Sequence, residues 1–201
     1  DEVVKNKTLK ATGVVGIFPA NSVGDDIDVF AADGSGAKVG TFHTLRQQEE
    51  REDATYYAMS DFIAPKSSGV KDYIGAFAVS AGFGCEDVCA ELRRQNDDYK
   101  GIMMEAVADR LAEAFAELLH HKMRTELWAY SPDEKMDVDD MLKVKYQGIR
   151  PAPGYPSQPD HTEKRTMWDV LRAKELADIE LSDSLSMMPA SSVSALALAH
   201  P

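Results

Sequence analysis

"DDYKGIMMEAVADRLAEAFAELLHHKMRTELWAY", residues 97–130, decides the fold class. No proline interrupts it, alanines strengthen its middle, and Asp97 or Asp98 is placed to cap its start, so it reads as one long helix. Ile102, Val107, Leu111, Phe115, Leu118 and Met123 are expected to share a broad buried stripe. Glu105, Asp109, Glu113 and Glu117 follow one another at steps of four along another face, continuing to His121. Like charges at that spacing repel by about 0.2–0.5 kcal/mol per adjacent pair. The row therefore reads either as a solvated face relieved by Arg110 and nearby lysines, or as a face that receives a cation or a protonated histidine.

Upstream of this helix the chain is β-like. "ATGVVGIFPANSVGDDIDVFAADG" (11–34) predicts a strand around Val14–Phe18, a loop through Pro19–Gly24 and a second strand near Ile27–Phe30. "AKVGTFHTLRQQ" adds a strand leading to a polar segment, and further runs lie near Tyr56–Phe62 and Tyr73–Ser80. The last is nearly all apolar, as a central strand buried on both faces should be. Downstream, a short helix is expected near Val138–Val144, helical periodicity resumes in "HTEKRTMWDVLRAKELAD" through Met167, Leu171 and Leu176, and "LSMMPASSVSALALA" suggests an edge strand after Pro189. With no regular βαβ alternation and no Gly-rich dinucleotide turn, the fold class is α+β, one domain with a largely antiparallel sheet and long helices.

Composition narrows the function. The 201 residues are 44% hydrophobic and 28% charged, which suits a folded globular chain. Twenty-two basic residues against 34 acidic ones give a net charge of −12, which opposes phosphate backbones and anionic lipid, so neither nucleic acid nor membrane is an expected partner. No apolar run approaches the roughly 20 residues that cross a bilayer, and the start "DEVVKNKTLK" lacks a signal peptide's regions; a cytoplasmic location is expected. Cys85 and Cys89 share one helix face, but a zinc site needs about two more ligands and a redox pair is normally C-x-x-C. They are expected to be free thiols, with no metal bound.

"YQGIRPAPGYPSQPDHTEK" (146–164) holds four of the nine prolines and is neither helix nor interior strand. Its prolines fix their own φ and bias the residues before them, so Ile149–Pro156 is pre-ordered and loses little entropy on docking a ligand. Arg150 offers a planar fork for a carboxylate, Ala152 and Gly154 leave room for close backbone approach, and Tyr155 supplies a flat face. The set suits a zwitterionic, amino-acid-like ligand with an attached ring. An architectural connector between two helices is the alternative.

The ordered set "GIFPANSVGDDIDVF", "LRQQ", "DFIAPK", "DYIGAFAV", "DDYKGIM", "ADRLAEAFAE", "YQGIRPAPGYP", "HTEK" and "PASSVS" resembles the C-terminal activation domain of cobalamin-dependent methionine synthase over nearly the whole chain. The resemblance implies an α+β activation-domain fold that binds S-adenosylmethionine and supports reductive methylation of inactive cob(II)alamin to methylcobalamin. Arg150 would hold the methionine carboxylate, with the backbone around Ala152 and Gly154 and the ring of Tyr155 framing the ligand. The cobalamin would sit on a neighbouring domain of the same or a companion chain, and the electron would come from flavodoxin or a flavoprotein reductase. Asp109 or Glu113 would accept the histidine displaced from cobalt.

The reduced cobalt is the nucleophile, so the module needs to supply orientation rather than a general base, and no catalytic residue is expected in the isolated domain. A docking domain that caps cobalamin and recruits the reductant, without catalysis, is the competing reading. Basic patches for an acidic reductant are sought at Arg93–Arg94, Lys122–Arg124 and Lys164–Arg165. Two departures stand out. An acidic contact lies upstream of the aligned region in the family, and Ala197 and Leu198 replace a Tyr-Phe pair, so the chain is expected to be a fragment lacking some family-typical N- and C-terminal parts.

Overall fold

The computed structural model describes residues 2–50 and 55–200. Among the described residues seven strands form: β1 (Lys10–Val23), β2 (Asp26–Phe30), β3 (Lys38–His43), β4 (Asp72–Phe83), β5 (Glu180–Leu181), β6 (Met187–Met188) and β7 (Ser192–Ala197). The helices are α1 (Glu2–Asn6), α2 (Cys85–Arg94), α3 (Asp98–Lys122), α4 (Val138–Leu142), α5 (Glu163–Leu171) and α6 (Ala173–Ala177). Five strands make an antiparallel sheet in the order β3-β2-β1-β4-β7, and β5 with β6 makes a small separate ribbon.

Both faces of the sheet are covered. Along β4, Ile74, Ala76 and Ala78 point into a core with Met167, Trp168, Leu171 and Ile179 from the α5–α6 side. Phe77 and Val79 point the other way, onto Ala116, Leu119 and Met123 at the α3 side. A strand dry on both faces needs no polar alternation, which accounts for the apolar run read in the sequence. Trp168, buried in the first core, satisfies its ring N–H on the Ile179 carbonyl at 2.7 Å.

The long helix forms but turns a different side inward. Ile102 is 65% exposed, Leu111 45% and Leu118 51%, whereas Ala108, Ala112, Ala116 and Leu119 are buried; of the expected stripe, Met123 is buried and Phe115 packs against the same core. Small residues let the helix axis approach the sheet closely. At the contact, a Cβ on Gly13 of β1 would meet Val79 at 2.9 Å and Phe115 at 3.1 Å. The helix also ends earlier than its periodicity suggests: from Met123 to Leu127 the backbone widens into a π-helical turn, with Trp128 N–H bonded to the Met123 carbonyl at 3.0 Å.

Three further expectations are corrected. The Pro19–Gly24 loop is strand, because β1 runs on to Val23 and only Gly24 and Asp25 turn the chain into β2, with Gly24 at φ +63°. Pro19 lies just past the last β1–β2 pair, Ala20 with Val29, so its missing N–H is tolerated there. The Tyr56–Phe62 run is not a strand but a short 3₁₀ turn at Met59–Phe62. Asp61 accepts from the Ala58 N–H at 2.9 Å and is gripped by Arg46 at 2.6 and 2.8 Å, a local capture that replaces ladder pairing. Finally, the helix through Leu176 breaks at Arg172, φ +53°, leaving Leu176 60% exposed on α6.

Candidate functional site

The proline-rich segment lies along the outer edge of β7. Ile149 and Leu198 exchange N–H to carbonyl bonds at 3.0 Å, and Leu196 N–H donates to the Pro151 carbonyl at 2.8 Å. A strand edge that would otherwise face water is thus covered by a chain whose prolines cannot extend the sheet further. Beyond Pro151 two successive turns follow, closed by Tyr155 N–H to Ala152 carbonyl at 3.3 Å and Gln158 N–H to Tyr155 carbonyl at 2.8 Å. Gly154 sits at φ +99°, and a Cβ there would lie 2.2 Å from the His161 ring.

Arg150, Ala152, Gly154 and Tyr155 therefore share one continuous ledge. Pro151 and Pro153 are buried beneath it, Ala152 packs against the core that holds Ala116 and Leu119, and Tyr155 stands 66% exposed. Arg150 is held through Nη2 by the Glu117 carboxylate on α3. Its Nη1 is buried and has no partner among the described residues. A buried guanidinium N–H without an acceptor is costly, and a carboxylate is the acceptor its fork fits best.

Behind the ledge lies a polar network that the sequence reading missed. Arg124 is fully buried and makes a two-pronged pair with Glu134, both bonds 2.7 Å. Its third nitrogen donates to His120 Nδ1 at 2.8 Å, its guanidinium lies 4.1 Å from the Tyr146 ring centre, and His121 Nδ1 reaches Glu134 at 3.0 Å. Arg124 beside it holds Glu134 below the usual carboxylate range. Burial, with the positive charges of Arg124 and Arg150, pushes His120 down to about 3, so the ring is neutral and accepts at Nδ1. Burial likewise pushes Tyr130 up to about 12, and its hydroxyl abuts Gly148, where a Cβ would lie 2.7 Å away. The network anchors the chain that enters the ledge. Its signal was present in the sequence, because His120 and Arg124 continue the buried row Ala108, Ala112, Ala116 at steps of four.

The acidic row is divided among different tasks. Glu105 pairs with Arg93 at 3.0 Å, Asp109 accepts from the Ser191 hydroxyl at 2.6 Å, and Glu117 holds Arg150. Asp109 and Glu113 line a cavity of about 350 Å³ between α3 and the start of β7. The structure thus places Asp109 and Glu113 on the same helix edge as Glu117, which holds Arg150, at successive turns, and not within the ledge itself. Cys85 and Cys89 are free and buried with sulfurs 3.9 Å apart, and burial beside Cys89 raises the Cys85 thiol to about 12. Of the basic patches, Arg94 pairs with Glu91 and Lys122 with Glu126 on the surface, Arg124 is inside, and Arg165 is exposed. No three described His, Cys, Asp or Glu side chains are grouped to hold a metal.

Fold and ledge define a three-layer α+β module with an arginine at a covered sheet edge. The family model "Vitamin B12 dependent methionine synthase, activation domain" matches residues 1–201, and the chain belongs to that family. A crystal structure of the MetH reactivation domain bound to AdoHcy is 46% identical and superposes with a TM-score of 0.96. That likeness covers all of this chain and 62% of the other, so the chain spans less than two thirds of its relative's length. Within the matched fold, Ala197 and Leu198 are fully buried, at the end of and just beyond β7, Ala197 against Phe77 and Met123.

Proposed function

We propose that the ledge binds S-adenosylmethionine and that the chain serves the reductive remethylation of cobalamin in a B12-dependent methionine synthase, which converts homocysteine to methionine. The observation that carries this reading is the buried, unpartnered Nη1 of Arg150 on a pre-ordered ledge. It supplies the donor that the carboxylate of the ligand needs. Ala152 and the Gly154 backbone admit a ligand at close range, and the exposed Tyr155 ring offers an apolar face for adenine. When bound, S-adenosylmethionine supplies the methyl group, and a cobalamin held by a neighbouring domain receives it. The residues of this chain orient the donor rather than activate it, so the isolated domain has no turnover of its own. The electron comes from flavodoxin or a flavoprotein reductase.

Titration calorimetry of the 201-residue chain with S-adenosylmethionine tests the reading. Binding that is abolished in Arg150→Ala is the expected result. No heat from the unaltered chain at millimolar ligand overturns it in favour of the second reading, a docking domain that caps cobalamin and recruits the reductant. That alternative is favoured by one observation, the aliphatic Ala197 and Leu198 at positions where aromatic contacts were expected.

A further inference from the structure

Arg150 carries a positive charge on a long side chain, yet its side chain is only 21% exposed and one of its nitrogens is sealed from solvent. Something must fix the rotamer, since the arginine follows a glycine-isoleucine pair and precedes a proline that contributes no N–H. The contact that fixes it comes from α3, where the Glu117 carboxylate accepts from Nη2. Glu117 is itself 29% exposed, and it stands on the helix turn that also carries the buried Ala116, so its backbone is anchored against the sheet. Among the carboxylates of the acidic row, Glu105 and Asp109 are engaged elsewhere and Glu113 lines the cavity beside β7.

We infer that Glu117 is the positioning residue of the ledge: it clamps the Arg150 guanidinium through Nη2 and leaves the buried Nη1 unpaired for the carboxylate of an incoming amino-acid-like ligand. This rests on the proposed S-adenosylmethionine site and deepens it. The guanidinium has two edges, and the geometry uses one for the protein and leaves the other for the ligand. Because Glu117 takes Nη2 and not Nη1, the ligand does not displace it. The protein carboxylate also offsets the arginine charge before the ligand arrives, which keeps the cation in place in a poorly hydrated spot. A fork locked beforehand loses less side-chain freedom on binding than a free one.

The test compares two ligands that differ at the carboxylate. S-adenosylmethionine carries it beside a sulfonium centre, whereas 5′-methylthioadenosine keeps the adenosine and a neutral thioether sulfur but lacks the whole amino-acid part. In Glu117→Gln, which keeps the shape and loses the charge, the dissociation constant for S-adenosylmethionine is expected to rise about tenfold, the usual scale for coupled charged neighbours. Binding of 5′-methylthioadenosine is expected to stay within twofold. Glu117→Asp, with a shorter reach, falls between the two. In an Arg150→Ala background, where S-adenosylmethionine no longer binds, Glu117→Gln is expected to leave the binding of 5′-methylthioadenosine unchanged. Equal weakening of both ligands, or an unchanged constant for S-adenosylmethionine, overturns the inference while leaving the ligand site standing. Absence of binding by the unaltered chain overturns the site itself.

Discussion

Gly154 and Tyr155 are neighbours whose replacement has opposite signatures. An alanine at 154 must adopt φ +99° and place its Cβ 2.2 Å from the His161 ring, so the turn or the ring has to move. Gly154→Ala is therefore expected to lower stability by about 1–3 kcal/mol, read by urea unfolding, and to weaken S-adenosylmethionine at the same time. Tyr155 packs little, being 66% exposed, so Tyr155→Ala should leave the unfolding midpoint in place and weaken only the ligand. A shifted midpoint in Tyr155→Ala would mean that the ring is structural. These positions were legible in the sequence because proline and glycine state their backbone constraints locally. Glu117 as the partner of Arg150 was not, since four carboxylates at equal spacing look alike and the helix orientation chooses among them.

At the scale of the element, α3 shows where pattern reading misleads. Larger apolar residues suggested the buried stripe, but the sheet takes the alanine row, for which close approach and not side-chain area decides the packing. Following that row forward puts His120 and Arg124 inside, and two predictions follow from their burial. Arg124→Ala leaves the buried Glu134 carboxylate with His121 alone and is expected to cost about 3–5 kcal/mol, whereas Arg124→Met combined with Glu134→Leu costs much less; the two are compared by urea unfolding.

His120 gives the pH dependence. Its ring titrates near 3 when folded and near 6.5 in the unfolded chain, so the unfolded state binds the extra proton between these values. Stability is full above about pH 6.5 and falls as pH drops, by at most about 1.4 kcal/mol per unit. Glu134, held low, adds a loss of the same sign as pH falls below the ordinary glutamate value of 4.5. In His120→Gln the decline between pH 6.5 and 5 should flatten; an unchanged decline would place the titrating group elsewhere.

Across the whole molecule, the sheet, the covering segment and the edge of α3 form one frame with two features, the Arg150 ledge and the cavity lined by Asp109 and Glu113. The net charge of −12 makes this frame a poor partner for anything acidic at long range. The same charge attracts cations at long range. The pairing of Asp109 with Ser191 at 2.6 Å keeps the carboxylate at the cavity rim, with an oxygen available for a second donor. On the proposed function, that donor is the histidine released from cobalt by the neighbouring domain. Asp109→Asn in the assembled methionine synthase then removes a charge-assisted hydrogen bond, worth about tenfold in the equilibrium. The cobalamin absorption spectrum is expected to shift toward the base-on form by that factor. Asp109→Asn leaves the Arg150 ledge intact, so calorimetry with S-adenosylmethionine should give an unaltered constant. A spectrum that does not move removes Asp109 from the domain contact and leaves Glu113, one turn nearer the ledge, as the acceptor to be examined.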